Sequence, residues 1–227
     1  MLYRSNLEKV FLPESVQQIG ESAFYYCTSL TTIYLPKGLQ YIDSSFSGCS
    51  SLSRIVIPNG VTFITQSGSS WTTEVNSFNH CSSLRLFYYK NKWTDNIVQN
   101  NTLISVAGAT TALSISCNRI GNGAASACSI SYLNMYCKEI GDRAFIACTN
   151  LTSLTIPAEC TRIGAEAFYG CYGLNSITVN ATTPPLGGSN MFWSTNNCPI
   201  YVPSASVSAY KEAMYWSDYA NRIQAMP

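Results

Sequence analysis

IGESAFYYCTSL, residues 19–30, sets a Phe three residues ahead of a Cys, directly after an Ile-Gly step. The phrase returns as IGDRAFIACTNL at residues 140–151 and as IGAEAFYGCYGL at residues 163–174. Recurrence at a fixed spacing of 20–50 residues marks a repeat architecture, in which no unit buries its apolar face alone. Aligned on the five-residue core, six copies emerge: AFYYC (23–27), SFSGC (45–49), SFNHC (77–81), AASAC (124–128), AFIAC (144–148) and AFYGC (167–171). Their cysteines are 22, 32, 47, 20 and 23 residues apart. Three of those steps are single units, and 47 is two units with a degenerate one between. The 32 is a unit carrying an insertion at residues 65–76, which contains Trp71.

Other positions recur with the core. An Ile precedes it at Ile19, Ile42, Ile64, Ile120, Ile140 and Ile163. After it comes an alternating apolar run: Ile33 and Leu35, Ile55 and Ile57, Phe87 and Tyr89, Leu154 and Ile156, Ile177 and Val179. Alternation reads as a strand with one buried face, and Pro36, Pro58 and Pro157 close three of these runs because proline has no N–H to donate. The Ile-Gly step is expected to turn tightly through a positive φ at the glycine. The core is expected to make one helical turn with its Phe and Cys on the inner face. The predicted interior is Phe24 and Cys27, Phe46 and Cys49, Phe78 and Cys81, Cys128, Phe145 and Cys148, Phe168 and Cys171. Ala125 stands where a Phe is missing, so that coil should be looser.

Composition narrows the function. The chain is 46% hydrophobic and 11% charged with a net charge of +1, so it lacks the basic stripe of a nucleic-acid binder. No apolar run approaches the roughly 20 residues that cross a bilayer, so no membrane insertion is expected in this segment. With no C-x-x-C and a single histidine, His80, no metal site is expected. There is no Gly-rich phosphate loop and no sign of a cofactor. Cys81 beside His80 lacks a third group to orient the imidazole, and the acids Glu21, Asp43, Asp142 and Glu166 fall in the turns, where they should cap the helical turn in solvent. The reading is therefore not an enzyme.

CTSLTTIYLPKGLQYIDSSFSGC, residues 27–49, resembles the 23-residue class of leucine-rich repeat, the BspA-like family, with consensus near LxxIxLPxxVxxIGxxAFxxCxx. The resemblance implies an α/β solenoid: a right-handed coil with parallel strands, short helical turns and a C-terminal capping unit. It assigns residues 1–179 to the solenoid, with a degenerate repeat at 85–116 whose Asn100-Asn101 pair suggests a hairpin. Residues 180–227 form the cap, where periodicity stops; Ser206 is expected to N-cap a helix with Val207, Tyr210 and Met214 on one face. The family occurs in surface proteins of gut and oral anaerobic bacteria, which implies a cell-surface or secreted location. The chain starts inside a unit, and a longer parent with an upstream export signal is the expectation.

Ten cysteines follow the repeat rather than a disulfide plan. Equivalent side chains in stacked coils point the same way, and strand spacing exceeds the ~3.8 Å between Cβ atoms that a disulfide needs. Small buried hydrophobes are the favoured reading. Function is then expected on the strand residues that face outward, on the concave side of the coil. The candidates are Phe11, Tyr34, Arg54, Val56 and Tyr88, joined by Trp71 and Trp93 on nearby excursions. The resemblance implies a protein partner, from host matrix or a neighbouring cell surface. Alternatives are a glycan seated on Tyr34, Tyr88 and Trp71, and a spacer with no ligand.

Overall fold

The computed structural model describes residues 4–43, 45–58, 60–61, 63–65, 77–78, 81, 83–84, 86–89, 92–94, 96–99 and 102–227; on strand residues 63–65, 86–89, 92–94, 96–99 and 102–105 the description is of the backbone. The insertion beyond residue 65, with Trp71, and also His80 and the Asn100-Asn101 pair, lie outside the described residues. The chain divides into two compact units: residues 1–99, 103–110 and 123–128, and residues 100–102, 111–122 and 129–227.

In the first unit each coil contributes two short strands. The alternating run gives Lys9–Phe11 (β1), and the Ile step gives Gln18–Ile19 (β2); the next coils give Thr32–Tyr34 (β3) with Tyr41–Asp43 (β4) and Arg54–Val56 (β5) with Phe63–Thr65 (β6). β1 lies parallel to β3 with Phe11 opposite Tyr34. A second parallel ladder, β2–β4–β6, aligns Ile19, Ile42 and Ile64. The degenerate region supplies Leu86–Tyr89 (β7), Lys92–Thr94 (β8), Asn96–Gln99 (β9) and Thr102–Val106 (β10). β7 is parallel to β5 but antiparallel to β8, with Tyr89 opposite Lys92, so the chain reverses here ahead of the Asn pair. β9 and β10 are neighbours in one sheet.

Between the ladders the repeat core turns the chain inward. Phe24, Phe46 and Phe78 are buried and form a column, with centroids 5.2 and 5.4 Å apart and planes 3° and 2° from parallel. Burying each ring contributes about 1.5–3 kcal/mol. The core segment is a run of i→i+3 turns rather than one helical turn: Tyr25 N–H donates to the Ser22 carbonyl and Cys27 N–H to the Phe24 carbonyl. Left-handed φ values at Ser22 (57°) and Tyr26 (53°) stop a helix from propagating. Neighbouring coils are tied in both directions. Backbone N–H groups of Phe24 and Tyr26 donate forward to the carbonyls of Ser45 and Ser47, at 2.9 and 2.8 Å. The Cys49 thiol donates back to the Phe24 carbonyl at 3.1 Å, and Cys81 back to Phe46 at 3.0 Å. The coil without a Phe keeps a longer rung, Cys128 to the Val106 carbonyl at 3.8 Å.

The second unit begins with Ala112–Ser116 (β11) and Arg119–Ile120 (β12), followed by Tyr132–Tyr136 (β13), Glu139–Ile140 (β14), Ser153–Ile156 (β15), Arg162–Ile163 (β16) and Ser176–Val179 (β17). β11 pairs with β13, and β15 with β17, all parallel; β12–β14–β16 repeat the Ile ladder. The ladder does not end at residue 179. Ile200–Val202 (β18) and Ile223–Ala225 (β19) extend it in parallel, the second after a short helix, Val207–Glu212 (α1). The phenylalanine column also continues, from Phe145 to Phe168 at 5.2 Å and on to Phe192 at 5.7 Å. There Trp216 and Tyr219 meet Phe192 at 59° and 67°, and the tilted rings close the column. Their polar ends are satisfied: Trp216 Nε1 donates to the Pro185 carbonyl, and the Tyr219 hydroxyl accepts from Phe192 N–H.

Three local expectations change. Gly141 and Gly164 are absent from the positive-φ residues; they are needed for room, because a Cβ would come within 2.5 Å of Asn122 or 2.4 Å of Asp142 in the adjacent coil. The turn acids bridge coils rather than cap their own: Asp142 accepts from Ala165 N–H at 3.0 Å and pairs with Arg162, while Glu166 pairs with Arg143 at 2.7 Å. Ser206 precedes α1 but its hydroxyl donates to the Thr182 carbonyl, and Met214 is exposed because the helix stops at Glu212.

The thiol rung gives a direct test at Cys171, which donates to the Phe145 carbonyl at 3.2 Å. Cys171→Ala removes a packed sulfur and a donor and should cost about 1–3 kcal/mol in urea unfolding. Cys171→Ser retains the donor and should cost less than Cys171→Ala; the reverse order would contradict the rung as the thiol's main contribution.

Candidate functional site

The strands of the first unit present their alternate residues outward. Phe11 is 70% exposed, Tyr34 55% and Val56 52%. Phe11 and Tyr34 stack at 4.5 Å with planes 10° apart, a consequence of their direct register in the parallel pair. Arg54 is exposed on the same face of β5. The backbone register carries the stripe onward, setting Val56 opposite Tyr88 and Tyr88 opposite Trp93. The structure thus gathers Phe11, Tyr34, Arg54 and Val56 on one strand face and puts Tyr88 and Trp93 in register with it.

The second unit carries small hydroxylated residues outward at Ser153 and Thr155 on β15. It also carries Tyr132 and Tyr136, exposed on β13 opposite Ala112 and Ser116. They escaped notice because the unit after Cys128 is short, so its strand falls out of phase with a count from the cysteine. The outward Y-x-N-x-Y alternation of residues 132–136 was the available signal.

Where β11 and β13 end, a cleft of about 320 Å³ opens between Ser116, Asn118, Tyr136, Lys138 and Glu159. Its buried floor is Cys117 and Cys137. The Cys117 and Cys160 thiols donate to the carbonyls of Arg119 and Arg162 two residues on. Burial, and then the neighbouring Cys160 and Cys117, push the Cys137 thiol up; burial raises Cys160 to about 11. In the repeat slot, burial raises Cys49, Cys128 and Cys171 to about 12. These thiols are protonated at neutral pH, the opposite of what a nucleophile requires. All ten cysteines are buried thiols, and none is in a disulfide.

Among the described residues, no group of three or more His, Cys, Asp or Glu is placed to hold a metal ion. Nor is any helix among them long and apolar enough to cross a membrane.

Six copies of a coil, two parallel ladders and an inward Phe-Cys core define a leucine-rich repeat solenoid. The chain matches the family described as BspA type leucine rich repeat region (6 copies), over residues 1–131, 76–198 and 138–224, and belongs to it. Among solved structures it is similar to a leucine rich cell surface protein from Faecalibacterium prausnitzii A2-165, with TM-score 0.62 and 22% identity, covering 92% of this chain and 63% of that one. It is also similar to the pneumococcal vaccine antigen PcpA, with TM-score 0.63 and 17% identity, covering 98% of this chain and 69% of that one. At these identities the likeness is one of fold. No curated protein matches the chain in sequence.

The raised thiols fix the sign of the alkaline response. The folded chain keeps protons that the unfolded chain releases near pH 9, so the unfolded state binds fewer protons and stability falls as pH rises from about 9 towards 12. The slope approaches ~1.4 kcal/mol per pH unit for each shifted thiol. Urea midpoints should be level from about pH 7 to 8 and decline above about 9, less steeply in Cys171→Ala. A slope untouched by that substitution would contradict the assignment.

Proposed function

We propose that this chain is a non-catalytic recognition module, at the cell surface or secreted, that binds a protein partner through the outward face of its strands. The observation that carries the reading is the exposed Phe11–Tyr34 stack, with Val56 and Arg54 on the same face. Two large apolar rings held rigid by the ladder give a contact patch at low entropic cost, and aromatic and Arg side chains dominate contact energies. Repeat scaffolds use such faces for binding. The surface location is supported by the similar solved structure described as a cell surface protein. The non-catalytic reading is supported by thiols held protonated and by turn acids committed to bridging coils.

The stacking also bears on what the stripe accepts. At 4.5 Å Phe11 and Tyr34 each cover one face of the other, which closes two of their four ring faces to a stacking sugar. With exposed Val56 and Arg54 on the same face, the stripe suits a protein better than a glycan.

The test is an array of host matrix and bacterial surface proteins probed with the wild-type chain and with Phe11→Ala/Tyr34→Ala. The variant should bind its partner about 10- to 30-fold more weakly while losing no more than about 1.5 kcal/mol of stability. Unchanged affinity would place the contact elsewhere, and silence across the array would favour a spacer.

A further inference from the structure

A second open site lies in the last coils of the second unit. The segment SNMFWSTNNC, residues 189–198, repeats the A-F-x-x-C coil with Thr195 in the cysteine slot and Phe192 in the column. Trp193 follows Phe192 and is turned out, 57% exposed; Tyr172, one coil earlier, is 60% exposed. Both line a pocket of about 460 Å³, within the ~300–1,000 Å³ of small-molecule sites. Unlike Phe11 and Tyr34, neither ring is stacked on another aromatic side chain among the described residues. Both rings keep more than half of their surface exposed.

The rest of the lining is polar. Asn196, Asn197, Asp218 and Asn221 bring three amides and one carboxylate, all exposed. The loop bearing the first two is held in a set shape. Ser194, Asn196 and Asn197 have φ of 58°, 56° and 48°, in the left-handed region that few non-glycine residues other than Asn and Asp adopt. Arg222 braces it, donating through Nε to the Cys198 carbonyl at 2.8 Å and through its other nitrogens to Thr195 Oγ1 and the Phe192 carbonyl. Tyr219 underlies that guanidinium at 5.4 Å. A pocket preshaped in this way loses little entropy on binding.

We infer that this pocket binds a neutral pyranoside: the Trp193 and Tyr172 faces take the C–H face of the sugar, and the amides and Asp218 take its hydroxyls. A carboxylate accepts from two adjacent hydroxyls, and an amide both donates and accepts, which matches the mixed character of a sugar hydroxyl. One carboxylate and one guanidinium, the latter spent on the loop, leave no net charge to recruit an acidic ligand. A glycan site here is independent of the protein-binding face and involves none of its residues.

The experiment is saturation-transfer NMR and calorimetry on the whole chain with cellobiose, maltose, lactose, chitobiose and a mannobiose, alongside glucuronic and sialic acids. At least one neutral disaccharide should bind with a dissociation constant below about 10 mM, roughly 2.7 kcal/mol of affinity. Trp193→Ala should weaken it by about tenfold or more, as should Asn221→Ala, a truncation of an exposed residue that leaves the aromatic packing intact. Phe11→Ala/Tyr34→Ala should leave sugar affinity unchanged, and Trp193→Ala should leave protein-partner affinity unchanged, so the two sites succeed or fail separately. The inference is overturned by silence from every neutral sugar, by preference for the acidic ones, or by binding that ignores both pocket substitutions.

Discussion

In the A-F-x-x-C segments the phenylalanine carbonyl accepts twice: from the cysteine N–H of its own coil and from the thiol of the next. Phe24, Phe46 and Phe145 all do so, at 3.0–3.3 Å. The first bond closes the turn that aims the ring inward, and the second sets how far away the following coil sits. The ring column and the strand registers both depend on that distance. One pair of residues therefore shapes the coil and joins it to its neighbour.

This explains why the slot holds cysteine. Alanine is small enough for the interior but brings no donor. Serine brings a donor at a greater desolvation cost. The thiol is apolar enough to be buried and still reaches the carbonyl above it. At the last coil the slot holds Thr195, whose hydroxyl donates to its own Phe192 carbonyl at 2.8 Å instead of reaching back. That coil ends the column against Trp216 and Tyr219, and Arg222 braces it in place of a further rung.

The architecture was legible in the sequence because every structural need recurs at the same position: Phe and Cys inside, Ile at the second ladder, alternation along the first. What escaped was whatever broke the period. The Thr195 coil falls in the stretch expected as cap, because a count keyed on cysteine cannot see it. Tyr132 and Tyr136 were missed in a unit too short to align. The role of the glycines at 141 and 164 is set by the adjacent coil's Asn122 and Asp142, which only three dimensions bring together. On the stripe, Phe11, Tyr34, Arg54 and Val56 were readable from alternation alone, since in a parallel ladder one outward residue stacks on the next. Trp193 shows the opposite case, a ring whose openness depends on where its coil ends.

Stripe and pocket both rest on coils held in register from within, so the S–H stretching band in the Raman spectrum of the folded protein is the most direct test. Its main band should lie at lower frequency than that of a free thiol and move to the free position when the chain is unfolded in urea. A free-thiol band in the folded protein, or an S–S stretch in its place, would contradict it.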